Sequence, residues 1–568
     1  MDSRFRGNDR LEISRNRLMS TLLTLHNPQT ARRYYEAGWW KSDTMYTLAA
    51  HHARVRPQEY ALRDSRHRLT WQQLVAWVDA LAADMQAAGL KRGQRVSVWL
   101  PNRVEAAVVF LACSRNGYVC NPSLHQNYTV GEIVTLMERS QTVALFAQPG
   151  YGADADKVNV FEAAKSLPAL KRAYNLVGSD FPALGAKPAA TLPEVDTDPD
   201  KIVYLAFTSG TTGMPKGVLH SDNTLLANGR AMVHDWHHDE HTVLYTHSPL
   251  SHHIATVAVA QSLCAGFELV LNDLKPGQKP LDGLLETNAT YVMGVPTHAI
   301  DILADAKRRG MNHLGKVNLF YMAGSVIPPE TARAFLDWGI KPQNIYGMTE
   351  NGSHQYTMPD DTVEIITTTC GRACHGYETR LWDQENPDIE VTKPGDIGEI
   401  GTRGALLMLG YFNNQSATEN SFNAGGWFMS GDLGRMDEHG NLQIVGRKKD
   451  LIIRGGHNIH PSRIENLALK HAAVLKAAAF PLADRRLGEC VCLAIIQRDS
   501  AHVGGDEMLA HLDAAGLSKY DMPEFFIALE AFPLTASGKI LKRELVEWAK
   551  AGKIMPAPVR FTAGTGKM

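Results

Sequence analysis

Tyr204-Leu-Ala-Phe-Thr208-Ser209-Gly210-Thr211-Thr212-Gly213-Met214-Pro215-Lys216-Gly217-Val218 begins as an apolar run and opens abruptly into hydroxyls, glycines and one lysine. Residues 202–207 read as a buried strand. The glycines, Gly210 among them, let the backbone turn tightly and aim successive N–H groups at an anion. Thr208, Ser209, Thr211 and Thr212 add hydroxyl donors, and Lys216 adds a point charge suited to β- and γ-phosphates. This is not a Walker A loop, which needs four residues between Gly and Gly-Lys and a Ser or Thr after the lysine. Here Pro215 precedes Lys216 and Gly217 follows it. The bland alternative is a polar surface loop with a stray lysine. A whole run of such residues directly after an apolar strand argues against it.

On both sides of this loop, strands alternate with helices. Residues 72–88 form an amphipathic pattern, Gly93 introduces a strand at 96–100, and Asn102 is placed to cap a helix over 104–115. Residues 291–295 predict a strand stopped by Pro296, with a helix over 299–308. Residues 317–323 predict a strand ending at Gly324, with a helix over 329–338. Such alternation predicts an α/β fold whose large N-terminal body holds mainly parallel sheets flanked by helices. Ligands then bind at the carboxyl ends of the strands. From about 393 to 446, Gly-rich turns separate short apolar runs, including 406–411, which predicts a β-rich subdomain. Beyond it, an apolar run at 451–453, a helix at 461–471, a strand at 491–496 and a helix at 506–514 predict a small α+β C-terminal domain. The boundary falls at Gly446-Arg447-Lys448-Lys449-Asp450, giving an N-terminal domain over 19–446 and a mobile C-terminal domain over 447–568, a comfortable size for independent folding. Residues 1–18 mix Arg4, Arg6 and Arg10 with Asp2, Asp9 and Glu12, and are expected to be a disordered extension before Met19.

A chain of 568 residues can bury several cores without disulfides or metals. With 44% hydrophobic and 21% charged residues, it is neither a disordered chain, a collagen nor a coiled coil. A formal net charge of −2 gives no global pull toward nucleic acid or an anionic membrane. The longest apolar stretches, such as 106–113, fall far short of the roughly 20 residues that cross hydrocarbon, so no membrane span is expected. The 7 cysteines include no CxxC pair, and Cys370 and Cys374 lack a second pair at zinc-ligand spacing, which points to free thiols in a reducing cytoplasm. Trp236-His237-His238-Asp239-Glu240-His241 is expected to be an exposed turn, because consecutive residues rarely converge on one ion.

Thr-Ser-Gly-Thr-Thr-Gly-Met-Pro-Lys-Gly resembles the signature loop of the adenylate-forming (AMP-binding) superfamily: acyl-CoA synthetases, peptide-synthetase adenylation domains and luciferases. Further blocks follow in that family's order, from about residue 44 to 547. Ala323-Gly324-Ser325 resembles its adenine-flanking loop. Tyr346-Gly347-Met348-Thr349-Glu350 resembles its second nucleotide motif. The resemblance implies that Tyr346 stacks on adenine, a contact worth roughly 1–3 kcal/mol by analogy with nucleic-acid bases. It also implies that Thr349 touches the α-phosphate and that Glu350 holds Mg²⁺, a hard cation suited to carboxylate and phosphate oxygens. Ser430-Gly431-Asp432 resembles the ribose motif, with Asp432 accepting from the hydroxyls. Gly446 to Asp450 resembles the interdomain motif, where Arg447 reaches the ribose or α-phosphate and Lys449 is the hinge. Ile453-Arg-Gly455-Gly456-His457-Asn-Ile459 resembles the loop at the pantetheine tunnel of CoA-using members, with Gly455 and Gly456 allowing close approach. Arg463 stands where the family commonly has Glu. Pro533-Leu-Thr535-Ala-Ser537-Gly538-Lys539-Ile540 resembles the C-terminal motif and makes Lys539 the catalytic lysine.

What the resemblance implies is an ATP-dependent carboxylic acid–CoA ligase that uses ATP, Mg²⁺ and coenzyme A. A carboxylate attacks the α-phosphorus to give an acyl-adenylate and pyrophosphate, and a thiol then expels AMP. A stand-alone adenylation enzyme loading a carrier-protein thiol is the alternative. A non-catalytic nucleotide-binding protein is disfavoured by the presence of Lys216, Glu350 and Lys539. The acid pocket is expected near Ser248-Pro-Leu-Ser-His252-His253-Ile-Ala-Thr256, with Ala323, Gly324 and Met348. Relatives often read Pro-Leu-Phe-His here, so His252 matches and Ser251 departs. Small residues and a Met imply an apolar, roomy slot, and no acidic residue in these blocks suits an ammonium group. The expected acid is medium-chain, alicyclic or aromatic. The texture of the chain, residues 35–40 included, is similar to that of cyclohexanecarboxylate–CoA ligases. A homodimer is a further expected partner. Replacing the hinge residue, Lys449→Pro, should spare acid-dependent pyrophosphate exchange and impair acyl-CoA release; equal loss in both halves refutes the hinge assignment.

Overall fold

The computed structural model describes residues 27–188, 190–208, 215–324, 327–498, 501–534 and 539–561. The expected extension over 1–18 lies outside them. Apolar runs such as Thr142–Ala147 and Ile202–Thr208 carry no polar alternation, which suits strands buried on both faces. They belong to a six-stranded sheet in the order Arg172–Asn175, Thr142–Ala147, Arg95–Trp99, Val119–Asn121, Ile202–Thr208, Lys216–Ser221. Its neighbours are parallel except for the final pair. A nine-stranded sheet has a parallel centre: Lys341–Met348, Leu319–Ala323, Tyr291–Gly294, Val243–Thr246, Glu268–Leu271 and Tyr60–Arg63. Antiparallel strands close both of its ends. The large body is therefore α/β with mainly parallel strands, as the alternation predicts.

One central helix bridges these sheets, and a second packs against it on the nine-stranded sheet. Asp222–Asp235 rests on Lys216–Ser221 of one sheet and Gly352–Tyr356 of the other, and His253–Ala265 lies across Val243–Thr246 and Glu268–Leu271. The second helix, with residues 255–263 all buried, has no polar face to present. Gly229 lets the two helices close up, because a Cβ there would meet the Ala260 carbonyl carbon at 2.7 Å.

One capping expectation fails. The helix Val104–Asn116 begins after Arg103, which makes no side-chain cap. Asn102 instead donates to the Asn272 carbonyl (3.2 Å), and the orphan Val104 N–H donates to Asp64 (3.1 Å). A carboxylate brought from a distant turn replaces the local cap.

The four-stranded antiparallel sheet Tyr377–Trp382, Ile397–Gly404, Phe428–Met436, Leu442–Arg447 starts earlier than the Gly-rich texture indicates, because its first strand has no glycine. Residues 406–411 are not a strand of it; Leu409 N–H donates to Leu219 (2.8 Å) and Met408 N–H donates to the Glu350 carbonyl (2.7 Å), so the run straps this sheet to the large body. A one-turn helix, Lys448–Asp450, leads into the C-terminal sheet. There the long strand Val474–Asp484 pairs with Gly488–Gln497. Its Lys-Ala-Ala-Ala segment favours helix, and strand pairing overrides that propensity.

At the histidine-rich stretch, His237, Asp239, Glu240 and His241 are exposed, but Trp236 is buried and His238 stacks on Tyr291 at 4.4 Å. All seven cysteines are free. Among the described residues, no helix is long and apolar enough to cross a membrane.

The body is anchored by a buried ion pair, Lys201 to Asp222 (2.7 Å). Asp222 also accepts from Met45 N–H (2.8 Å) and the Ser114 hydroxyl (2.8 Å), and so joins three segments. Asp222→Ala leaves the ammonium uncompensated and should cost about 3–5 kcal/mol, seen as a lower urea midpoint. A midpoint equal to that of the unmodified protein would contradict this role.

Candidate functional site

Six parallel strands, from both large sheets, end at one cavity of about 1330 Å³. It is bordered by residues following Val119–Asn121, Ile202–Thr208, Val243–Thr246, Tyr291–Gly294, Leu319–Ala323 and Lys341–Met348, and is closed from the far side by residues of the C-terminal region. Strand ends collect here because the parallel connections leave their loops on one edge.

At one end, Thr208 and Lys216 stand opposite each other in register on adjacent antiparallel strands. The Thr208 hydroxyl donates to the Lys216 carbonyl (3.4 Å). The loop read from sequence thus joins two adjacent antiparallel strands in the chain. Ser209, Gly210, Thr211 and Thr212 lie outside the described residues, as does Ser325. The Lys216 ammonium sits 4.6 Å from the centre of the Tyr411 ring. The Tyr411 hydroxyl in turn donates to Glu350 Oε1 (3.0 Å). Burial raises the Glu350 pKa, opposed by that hydroxyl, by Lys216 and by Lys539. The Thr349 carbonyl accepts from His220 Nε2 (2.7 Å), which fixes the turn carrying Glu350.

Asp432 is buried between two partners. It accepts from the Tyr346 hydroxyl (2.8 Å) and from Arg447 Nε (3.1 Å). Tyr346 itself packs in an apolar cluster with Leu381, Ile400 and Leu442, while the rest of its block, Gly347, Met348, Thr349 and Glu350, borders the cavity. The structure therefore places Tyr346 as the support of Asp432. Lys448 pairs with Glu399 (2.8 Å) at the same edge.

Lys539 enters this cavity from the C-terminal region, and its charged neighbours are Arg447, Asp432, Glu350 and Lys449. It remains accessible through the open cavity, yet protein surrounds its amine on several sides. Burial, then Arg447, lowers its pKa from the usual lysine value. Burial also lowers that of Lys449, which stands in the one-turn helix between the two sheets.

His252, His253, Ala323, Gly324 and Met348 all border the cavity. Gly455 and Gly456 do not. They form the exposed turn between Ile452–Arg454 and His457–Ile459, with φ of +58° and +85° that favour glycine. The sequence reading missed Tyr411, Glu399, His125, His247 and His298, which also border the cavity. None sits in a recognisable block, and only the fold brings them together.

Residues 49–412 match the AMP-binding enzyme family, and residues 463–539 match its C-terminal domain. The chain belongs to the AMP-binding enzyme family. It is 30% identical over 537 residues to the medium-chain fatty-acid–CoA ligase of Escherichia coli (strain K12), covering 92% of this chain and 93% of the relative. It is 31% identical over 537 residues to the 2-hydroxy-7-methoxy-5-methyl-1-naphthoate–CoA ligase of Streptomyces carzinostaticus, covering 91% and 95%. Among solved structures it is similar to ATP-bound MatB from Rhodopseudomonas palustris, with a TM-score of 0.77 and 28% identity over 89% of this chain and 99% of that one.

Because kcat/KM reports the free enzyme, the lowered pKa of Lys539 has a kinetic consequence. On the expectation that Lys539 is the catalytic lysine bridging two anions, it must be protonated to act, so activity is expected to fall as pH rises through its pKa. The basic limb of kcat/KM for acid-dependent pyrophosphate exchange should therefore fall below pH ~10.4, the ordinary lysine value. It should vanish from the residual activity of Lys539→Arg; a limb at the ordinary value would contradict the site.

Proposed function

We propose that this protein is an AMP-forming acid–thiol ligase. It activates a carboxylic acid as an acyl-adenylate and transfers the acyl group to coenzyme A. The observation that carries this reading is the meeting of Lys539 with Lys216, Glu350, Asp432 and Arg447 around one cavity. Two anions, a carboxylate and a triphosphate, repel each other, and the cavity supplies cations where their charge accumulates.

Each residue then has a physical task. Lys539 bridges the incoming carboxylate and the α-phosphate. Lys216, with Thr208 and the hydroxyls of Ser209, Thr211 and Thr212, holds the β- and γ-phosphates through the departure of pyrophosphate. Asp432, oriented by Tyr346 and Arg447, accepts hydrogen bonds from the ribose hydroxyls. Gly324 lies beside the adenine. Glu350 fits Mg²⁺, because its carboxylate stays tied to Tyr411 through one oxygen and keeps hard acceptor capacity toward the phosphates. Bound there, the ion supplies charge stabilisation to phosphate oxygens. Positioning carries much of the remaining barrier.

The thiol step needs other groups around the same adenylate. We assign the unit over 19–446 to nucleotide and acid binding, and the unit over 447–568 to a C-terminal domain that turns about Lys449. That rotation withdraws Lys539 and brings Gly455 and Gly456 toward the thiol path. It accounts for a cavity that includes Lys539 while both glycines stand outside it. The acid is a medium-chain, alicyclic or aromatic carboxylic acid, a range within which the Escherichia coli and Streptomyces carzinostaticus relatives have their named substrates. The free cysteines suit a reducing compartment, and the cytoplasm is the proposed location.

The test is a carboxylic-acid panel assayed for AMP release with free CoA, with a phosphopantetheine-bearing carrier protein, and with neither. AMP release should require an acid and rise with free CoA. Lys539→Ala should lower acid-dependent pyrophosphate exchange by about 10²–10³-fold while ATP still binds in a calorimeter. Undiminished exchange in that variant overturns the mechanism.

A further inference from the structure

The acid end of the cavity is walled by imidazoles. His125, His247, His252, His253 and His298 all border it. They come from separate places: the loop after Val119–Asn121, the end of Val243–Thr246, the start of His253–Ala265, and the helix Pro296–Arg308. They meet in pairs, with ring centres 4.4 Å apart for His125 and His252 and 5.0 Å apart for His247 and His298. His253 stacks on the buried His220 at 5.3 Å, and its Nδ1 lies 3.4 Å from the Tyr204 hydroxyl. The Ser251 hydroxyl meets His125 Nδ1 at 3.2 Å. His247 Nε2 is buried and has no hydrogen-bond partner among the described residues.

Burial disfavours the charged form of each of these rings. Burial, reinforced by His252, pushes His125 down to about 3, and burial with His298 nearby does the same to His247. Burial, then Lys539, brings His252 to about 4. A neutral imidazole offers one N–H donor and one lone pair. A hydrocarbon tail lying against such groups strips them of water and returns no hydrogen bond. A second carboxylate would need a charged imidazole, which burial opposes. An ammonium would need a carboxylate, and the described carboxylates bordering the cavity, Glu350, Glu399, Asp432, Asp450, Glu544 and Glu547, come from other elements. What matches is an uncharged group that both donates and accepts.

We infer that the acid end selects carboxylic acids bearing a hydroxyl group away from the reacting carboxylate over their plain hydrocarbon counterparts, with His247 and His298 determining the choice. This rests on the acid-activation reading above. A site built to hydrogen-bond a substrate hydroxyl rejects the analogue that lacks it, because its own buried polar groups are then left unpaired.

The experiment compares matched acids in pyrophosphate exchange by the full-length enzyme: benzoate with its three hydroxybenzoates, cyclohexanecarboxylate with 3- and 4-hydroxycyclohexanecarboxylate, and octanoate with 8-hydroxyoctanoate. At least one hydroxylated acid should exceed its parent in kcat/KM by about tenfold or more, and His298→Phe or His247→Phe should bring that ratio toward one. Parents equal to or better than every hydroxylated acid, a dicarboxylate better than both, or a ratio untouched by either variant overturns the inference. Exchange with the parents alone overturns it while leaving acid activation standing. Exchange with no acid of any kind removes the activation reading and this inference with it.

Discussion

Cations that must serve a substrate cannot be spent on the protein's own acids. This constraint shapes the cavity. Arg447 and Lys448 are each matched to a carboxylate, Asp432 and Glu399, and so give that wall its shape. Lys216 rests against the face of Tyr411, a contact that holds an ammonium without neutralising it. Lys539 lies among two cations, Arg447 and Lys449, and two acids, Asp432 and Glu350. Glu350, held by a phenol through one oxygen, is left as an acceptor. Had Lys216 and Glu350 closed into an ion pair, the pocket would hold one cation and one acceptor fewer for joining two anions.

The supports behind these groups are as informative as the groups themselves. Tyr346 orients Asp432, Tyr411 orients Glu350, and His220 secures the Thr349 carbonyl. Each support reaches across from a different strand or loop. The strap over residues 406–411 adds backbone bonds to both Leu219 and Glu350, so the small antiparallel sheet is tied to the hairpin that carries Lys216. Pre-organisation of this kind leaves less reorganisation to the reacting complex.

Much of this was legible in the chain. Strand–helix alternation led to a mainly parallel body because unbroken apolar runs leave few other places for a strand to lie. The contiguous blocks named Thr208, Lys216, Glu350, Asp432, Arg447 and Lys539, and the structure brings all six to one cavity. What stayed hidden depends on distant partners. Asn102 sits at a plausible cap position, but Asp64 arrives from another turn and takes the helix end. Tyr346 sits in a block that resembles an adenine-stacking motif, and nothing in the chain signalled that its hydroxyl would support Asp432 while its ring packs in an apolar cluster. Val474–Asp484 carries helix-favouring alanines and becomes a strand because its neighbour is one. The five imidazoles have no common motif, so only tertiary structure could assemble them.

The strand Tyr60–Arg63, one in from the sheet's edge, lies beside Glu268–Leu271, and Arg68 of the edge strand closes on Glu268 across 200 residues of intervening chain. In a cell this means that a segment leaving the ribosome waits for a partner not yet made. At roughly 5–20 residues per second, the wait lasts on the order of 10–40 s. The six-stranded sheet lies wholly within that interval and can form first, while the early hairpin stays a vulnerable, unpaired ribbon. Translation speed, or a chaperone present during that window, therefore has a natural point of action on the yield of this protein.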